Sequence, residues 1–193
     1  MKKLFLIGSL VLLPTASFAG PFGVEMGMTK EQVATQGTLQ PSKTPNVYIA
    51  NNLRSGHPDF DDYRFLITPV SGLCRVQAWK SNISTSAYGD GLLSEFEAIQ
   101  SAITLKYGAG KKFDYLQHKS IWNEPRDFMM GLKAEERTLA VMWANPSASD
   151  GLEAISLKAL AASPNTGMIL LTYEFKNFEA CAQEQKAKRS ANL

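Results

Sequence analysis

The sequence predicts an α+β fold: antiparallel meander sheets packed on one long central helix and a C-terminal helix. Three observations lead there. Strand-like runs come at hairpin spacing. Single helices separate groups of strands, whereas a doubly wound parallel sheet needs a crossover helix between nearly every strand pair. One segment, Leu92 to Tyr107, keeps apolar residues on a single helical face.

Taken in order, Thr29 and Gln32 form a capping-box pattern, Met28 can staple onto Val33, and Gly37 is a natural stop for a short first helix. Strands are predicted near Val47–Asn51, Tyr63–Thr68 and Leu73–Ile83, the last two joined by a turn through Pro69–Gly72. In the third, Cys74, Val76 and Ala78 alternate with Arg75 and Gln77, while Trp79 falls on the opposite side. Leu92, Phe96, Ile99 and Ile103 then mark the long helix, with Asp90 as its expected cap and Gly108 as terminator. Strands follow near Phe113–Leu116, Phe128–Leu132 and Leu139–Trp143, then a hairpin of Ala154–Leu160 with Met168–Phe175. Asn177 is placed to cap a last helix that carries Cys181 and frays beyond Lys186. The order, helix then strands, twice over, suggests two similar halves of a single domain dividing near Gly89, without a residue-level repeat to carry it.

The N-terminus has the parts of a secretory signal: Lys2 and Lys3, an apolar stretch from Leu4 to Leu13, a break at Pro14, and small side chains at Ser17 and Ala19. Cleavage is expected after Ala19, leaving residues 20–193 as the domain and a periplasmic or secreted location. Of the 20 basic side chains only Lys2 and Lys3 lie in this segment, so the mature chain balances at 18 basic against 18 acidic. A neutral surface argues against nucleic-acid binding, which neutralises many phosphates with Lys and Arg. No later stretch approaches the ~20 apolar residues of a membrane span, and no cysteine follows the apolar stretch to carry a lipid anchor. Cys74 and Cys181 are an even pair in an oxidising compartment and are expected to form a structural disulfide. A redox-active pair would call for Cys-x-x-Cys spacing.

The stretch Gly27-Met28-Thr29-Lys30-Glu31-Gln32-Val33 resembles the helix entry of small bacterial envelope proteins, among them the outer-membrane assembly lipoproteins of the BamE/SmpA type and β-lactamase-inhibitor-like folds. The resemblance implies a non-enzymatic α+β module that binds other proteins. Ser71-Gly72-Leu73 in a hairpin and Leu105-Lys106-Tyr107-Gly108 closing a helix add a likeness to uncharacterised periplasmic proteins.

Motifs for chemistry are sparse. There is no Gly-x-Ser-x-Gly, Ser-x-x-Lys, His-Glu-x-x-His or zinc-spaced Cys/His cluster. Gly108-Ala109-Gly110-Lys111 lacks the first glycine and the Ser/Thr of a phosphate loop and reads as a helix terminator. His57 stands near Asp59, Asp61 and Asp62 in a polar connection, the best candidate for a scattered polar site, yet the spacing fails the calcium-loop pattern and a solvated acidic loop is the simpler expectation. His118 reads as an exposed turn residue. Glu95 and Glu97 cannot face one another on a helix, and Glu124 and Asp127 flank Pro125 in a turn. Trp122, Phe128, Met130 and Trp143 are large adaptable side chains on expected neighbouring strands, suited either to a core or to a partner surface. No catalytic residue, metal ligand or cofactor is assigned. The expected function is non-enzymatic binding of another envelope or secreted protein, as an inhibitor, an immunity protein or an assembly accessory. The alternative is a periplasmic enzyme, of hydrolase type, with a scattered active site around His57.

Overall fold

The computed structural model of the chain describes residues 20–146 and 151–190, with side chains as far as Ala187. The expected signal segment and its cleavage point lie outside the described residues. Eight strands form one antiparallel sheet: β1 (Gln40–Pro41), β2 (Val47–Ala50), β3 (Asp62–Thr68), β4 (Gly72–Ser84), β5 (Lys111–Leu116), β6 (Arg137–Ala144), β7 (Leu152–Ser163) and β8 (Thr166–Phe175). Their order is β1-β2-β3-β4-β8-β7-β6-β5. Each run of four consecutive strands is therefore a meander, and the two meanders meet where β4 pairs with β8 from Arg75↔Glu174 to Ser84↔Thr166.

Helix α1 (Lys30–Val33) is a single turn whose capping box is complete: the Gln32 N–H donates to Thr29 Oγ1 at 3.3 Å and the Thr29 N–H to Gln32 Oε1 at 2.8 Å. It ends well before Gly37 because the Thr35 hydroxyl donates to the Gln32 carbonyl at 2.7 Å and turns the chain. Helix α2 (Asp90–Tyr107) buries Leu92, Phe96, Ile99, Ile103 and Tyr107 and touches β4, β7 and β8. Its cap differs from expectation. Gly89 holds the cap position, and the first free N–H groups, of Gly91 and Leu92, donate to Thr85 Oγ1 at 3.0 and 3.4 Å. Asp90 instead accepts from Ser86. Gly167 on β8 lets the helix approach, since a Cβ there would stand 2.9 Å from the Leu92 side chain.

The expected strand over Phe128–Leu132 is a helix, α3 (Phe128–Lys133). A five-residue apolar run fits either element. The decision comes from the preceding residues: Pro125 opens a 3-10 turn and the Glu124 N–H donates to Asp127 Oδ2 at 3.3 Å. Phe128, Met129 and Leu132 then fall on one buried face.

Helix α4 (Phe178–Ser190) also departs from expectation, continuing past Lys186. Asn177 does not cap it: its Nδ2 donates to the Ser71 and Leu73 carbonyls at 2.8 and 3.0 Å, tying the helix to the β3–β4 turn, and its Oδ1 is buried without a partner. The disulfide between Cys74 and Cys181 is formed.

A register shift explains which face α4 covers. Leu66 pairs with Arg75 but Ile67 pairs with Leu73, so Cys74 is the extra residue of a bulge. That residue leaves the alternation expected with Val76 and Ala78. Val76 and Ala78 belong to the main core, whereas Cys74 clusters with Leu66 and Cys181, flanked by Val47 and Phe178.

Candidate functional site

Side-chain alternation divides the sheet into two unlike faces. Val76, Ala78, Leu139, Val141, Trp143, Ile155, Leu157, Ile169, Leu171 and Tyr173 share a face with α2 and α3, and all are buried. On the opposite face α4 packs mainly against β3 and β4, with Val47 of β2 at its edge. The remainder of that face carries Trp79, Leu170, Lys158, Ala140 and Phe113 in one row across five strands. Beside it run Gln77, Thr172, Ser156, Met142 and Lys111. Most of these are half-buried; Thr172 is buried, and Met142, Lys158 and Lys111 are exposed. Apolar and hydrogen-bonding groups thus interleave over a broad surface that no described helix covers. Trp79 is held by the Arg64 guanidinium 5.1 Å from its ring, and Arg64 is fixed in turn by Asp62 Oδ2 at 3.1 Å.

The aromatic residues considered for a partner surface are divided by the structure. Phe128 and Trp143 are core residues, 8 % and 2 % exposed. Trp143 spends its indole N–H on the Gly108 carbonyl at 2.9 Å, and the Arg137 guanidinium lies 4.7 Å from the Phe128 ring. Trp122 and Met130 are half-buried. Because residues 128–133 are helical, these side chains do not line neighbouring strands.

His57 and Asp59 stand at the lip of a cavity of about 200 Å3 beneath α2, walled by Phe22, Phe60, Ile99, Ile103, Leu171 and Tyr173. The Tyr63 hydroxyl locks the loop by accepting from the His57 N–H at 2.8 Å and donating to the His57 carbonyl at 3.0 Å. Burial pushes that phenol above its ordinary pKa, with the His57 N–H donated to its oxygen pulling the other way. The His57 ring accepts at Nδ1 from the Asp59 N–H at 3.3 Å, and Asp59 Oδ2 is 3.4 Å from the same nitrogen. A protonated ring would make that second contact an ion pair.

Lys80 joins three elements here. Its ammonium lies 2.7 Å from Glu95 on α2 and 3.4 Å from Asp59 on the loop. Burial works to lower its pKa, but the Glu95 hydrogen bond and the Asp59 charge outweigh it and hold the group above its usual value. Asp61 and Asp62 turn elsewhere: Asp61 accepts from the Ser81 N–H at 2.8 Å and Asp62 binds Arg64. The four polar candidates therefore split, two at the cavity and two along the sheet edge of the loop. Among the described residues no group of three His, Cys, Asp or Glu side chains is placed to hold a metal ion.

Phe22 was not singled out by sequence reading. It sits at φ 57°, in the left-handed region that a bulky side chain rarely enters. Its ring meets Tyr63, Tyr173 and Phe60 edge-on at centroid distances of 4.9, 5.8 and 6.0 Å. The surrounding packing holds the strained turn in place. The only advance signal was a Pro-Phe-Gly turn just before the first helix. Lys80 and Glu95 were equally hidden, because their pairing depends on how α2 lies over β4.

The cavity offers an apolar interior with polar groups confined to its mouth; the open sheet face offers a broad mixed surface. No described helix is long and apolar enough to cross a membrane. No protein-family model, no characterised protein and no solved structure matches this chain.

Proposed function

We propose that this chain is an exported, non-enzymatic binding protein that docks a protein partner on the open face of its sheet. The observation that carries the reading is the contrast between faces: one is sealed by α2 and α3, the other presents Trp79, Leu170, Phe113 and Met142 among Gln77, Ser156 and Lys158, with α4 packed mainly against β3 and β4. Apolar anchors ringed by hydrogen-bonding groups are the usual make-up of a docking surface. The disulfide suits an oxidising compartment, and the leader-like first 19 residues suit export to the periplasm. Inhibition, immunity and envelope assembly all fit such a surface. Leu170→Lys, at the centre of the face, is the test: partner capture from envelope extracts falls at least tenfold while the melting temperature changes little. Undiminished capture would overturn the reading.

A second reading is favoured by the cavity. His57 and Asp59 at the mouth of an apolar pocket are where an enzyme or a small-ligand site would place its polar groups. Ala102→Trp, which fills the pocket from α2, separates the two: it abolishes small-ligand binding under the second reading and leaves partner capture intact under the first.

A further inference from the structure

We propose that β5 is a self-complementary edge through which two copies of this chain join their sheets, with the two-fold axis passing through Phe113. The inference does not rest on the partner reading above. Among the described residues strand β5 ends the sheet and pairs with β6 alone. Lys111, Lys112, Asp114 and Tyr115 are exposed and Phe113 and Leu116 half-buried. An edge of this kind leaves a row of backbone groups unpaired and open to a further strand.

The hydrogen-bond phase fixes which groups those are. The Gln117 N–H donates to the Glu136 carbonyl at 2.7 Å, the next step of the ladder after Leu116↔Arg137. Bonding pairs recur every second residue in an antiparallel ladder, so Lys111, Phe113 and Tyr115 direct their backbone groups toward β6. Lys112, Asp114 and Leu116 direct theirs outward.

A closed pair of identical edges must be two-fold symmetric. Only residues with outward backbone groups can stand in bonded pairs, and just two axes, through Phe113 and through Asp114, overlap most of the strand. An axis through Asp114 sets two carboxylates together. The axis through Phe113 places Lys112 opposite Asp114 of the second copy, twice, with Lys111 opposite Tyr115. It also puts Phe113 against Phe113 at the closer, non-bonded position, where aromatic cross-strand pairs are favourable. Charge therefore selects one register of the two. The open faces of the two sheets become continuous across the junction, because Phe113 and Tyr115 lie on that face.

Sedimentation equilibrium of the purified, oxidised protein tests this. The wild type is expected to be a dimer. Lys112→Asp, an exposed change that leaves the fold intact, turns two opposite-charge pairs into like-charge ones and should weaken dimerisation by about tenfold or more. Its remaining affinity should rise with salt while that of the wild type falls. Adding Asp114→Lys to Lys112→Asp reverses both charges and should restore the dimer. Asp114 also binds Arg137 at 3.2 Å, so a thermal melt accompanies that variant. Should it unfold, Lys112→Pro, which removes an outward N–H and no bond to β6, and the opposed salt dependences decide the matter instead. A wild-type monomer at millimolar concentration, or a dimer indifferent to Lys112→Asp, overturns the proposal.

Discussion

The two faces of the sheet are closed by different physics. Under α2 and α3 the contact is mainly apolar: Phe96, Leu92, Met129, Leu139, Ile155, Leu157 and Ile169 are inaccessible to solvent, with the Lys80–Glu95 pair at the margin. Under α4 the apolar contribution is a small cluster of Leu66, Cys74 and Cys181 with Val47 and Phe178 at its edge. That helix is held by a covalent bond and by polar clamps. Glu184 accepts from the Ser71 and Val70 N–H groups at 2.9 and 3.2 Å, and Asn177 reaches the Ser71 and Leu73 carbonyls. A helix that buries little hydrophobic surface needs such fixings, and it leaves most of its face uncovered. The sealed face accounts for stability; the uncovered one is where an encounter can occur.

This contrast can be broken by degrees. Phe96→Ala, in the sealed face, should cost about 3–5 kcal/mol of unfolding free energy in a denaturant titration, since a buried ring is removed and its cavity cannot fully close. Replacing Cys74 and Cys181 together by Ala should cost about 2–4 kcal/mol. The loss should concentrate at α4, and hydrogen exchange should show its amides losing protection before those of α2. A loss of protection spread evenly over the sheet would mean that the helix is not an attachment held by its fixings.

The ionic contacts extend the comparison to pH. Burial pushes the Glu184 carboxyl up, but the bonds from Ser71, Val70 and Thr68 prevail and leave it below the ordinary value of 4.5. A lowered folded pKa means that the group stabilises the fold above its unfolded value, and the contribution disappears as pH falls through the folded one. Glu184→Gln should therefore flatten the acid limb of the melting curve. Lys80 has the opposite sign: its folded pKa is raised above 10.5, so its contribution is complete at neutral pH and is lost at the alkaline extreme. Lys80→Met should lower stability at pH 7 and remove that alkaline loss. Smallest of all, Met142→Lys on the open face, at a side chain already 47 % exposed, should change stability by no more than about 0.5 kcal/mol.

The hairpins and the long helix were legible in the sequence because periodicity is a local property: β3 with β4, β7 with β8, and α2 all follow from the spacing of apolar residues and the turns between them. The disulfide was legible from an even cysteine count. Residues 128–132 were not, since a short apolar run has no period of its own and its fate lay with Pro125. Nor was the face of Cys74, because a single bulge residue reverses the alternation. The cavity was the least legible feature. Its walls come from Phe22, the loop at His57 to Phe60, one side of α2 and the end of β8, segments that share no sequence pattern. His57 and Asp59 stand together beside the cavity, whereas Asp61 and Asp62 bind the Ser81 N–H and Arg64.

The central claim, that the uncovered face is the working surface, is tested most directly by comparing three proteins in one capture experiment: wild type, Leu170→Lys on that face, and Ala102→Trp in the cavity. The account predicts that wild type and Ala102→Trp retain the same partner while Leu170→Lys loses it. Retention by Leu170→Lys together with loss by Ala102→Trp would contradict the account and place the function in the cavity beside His57.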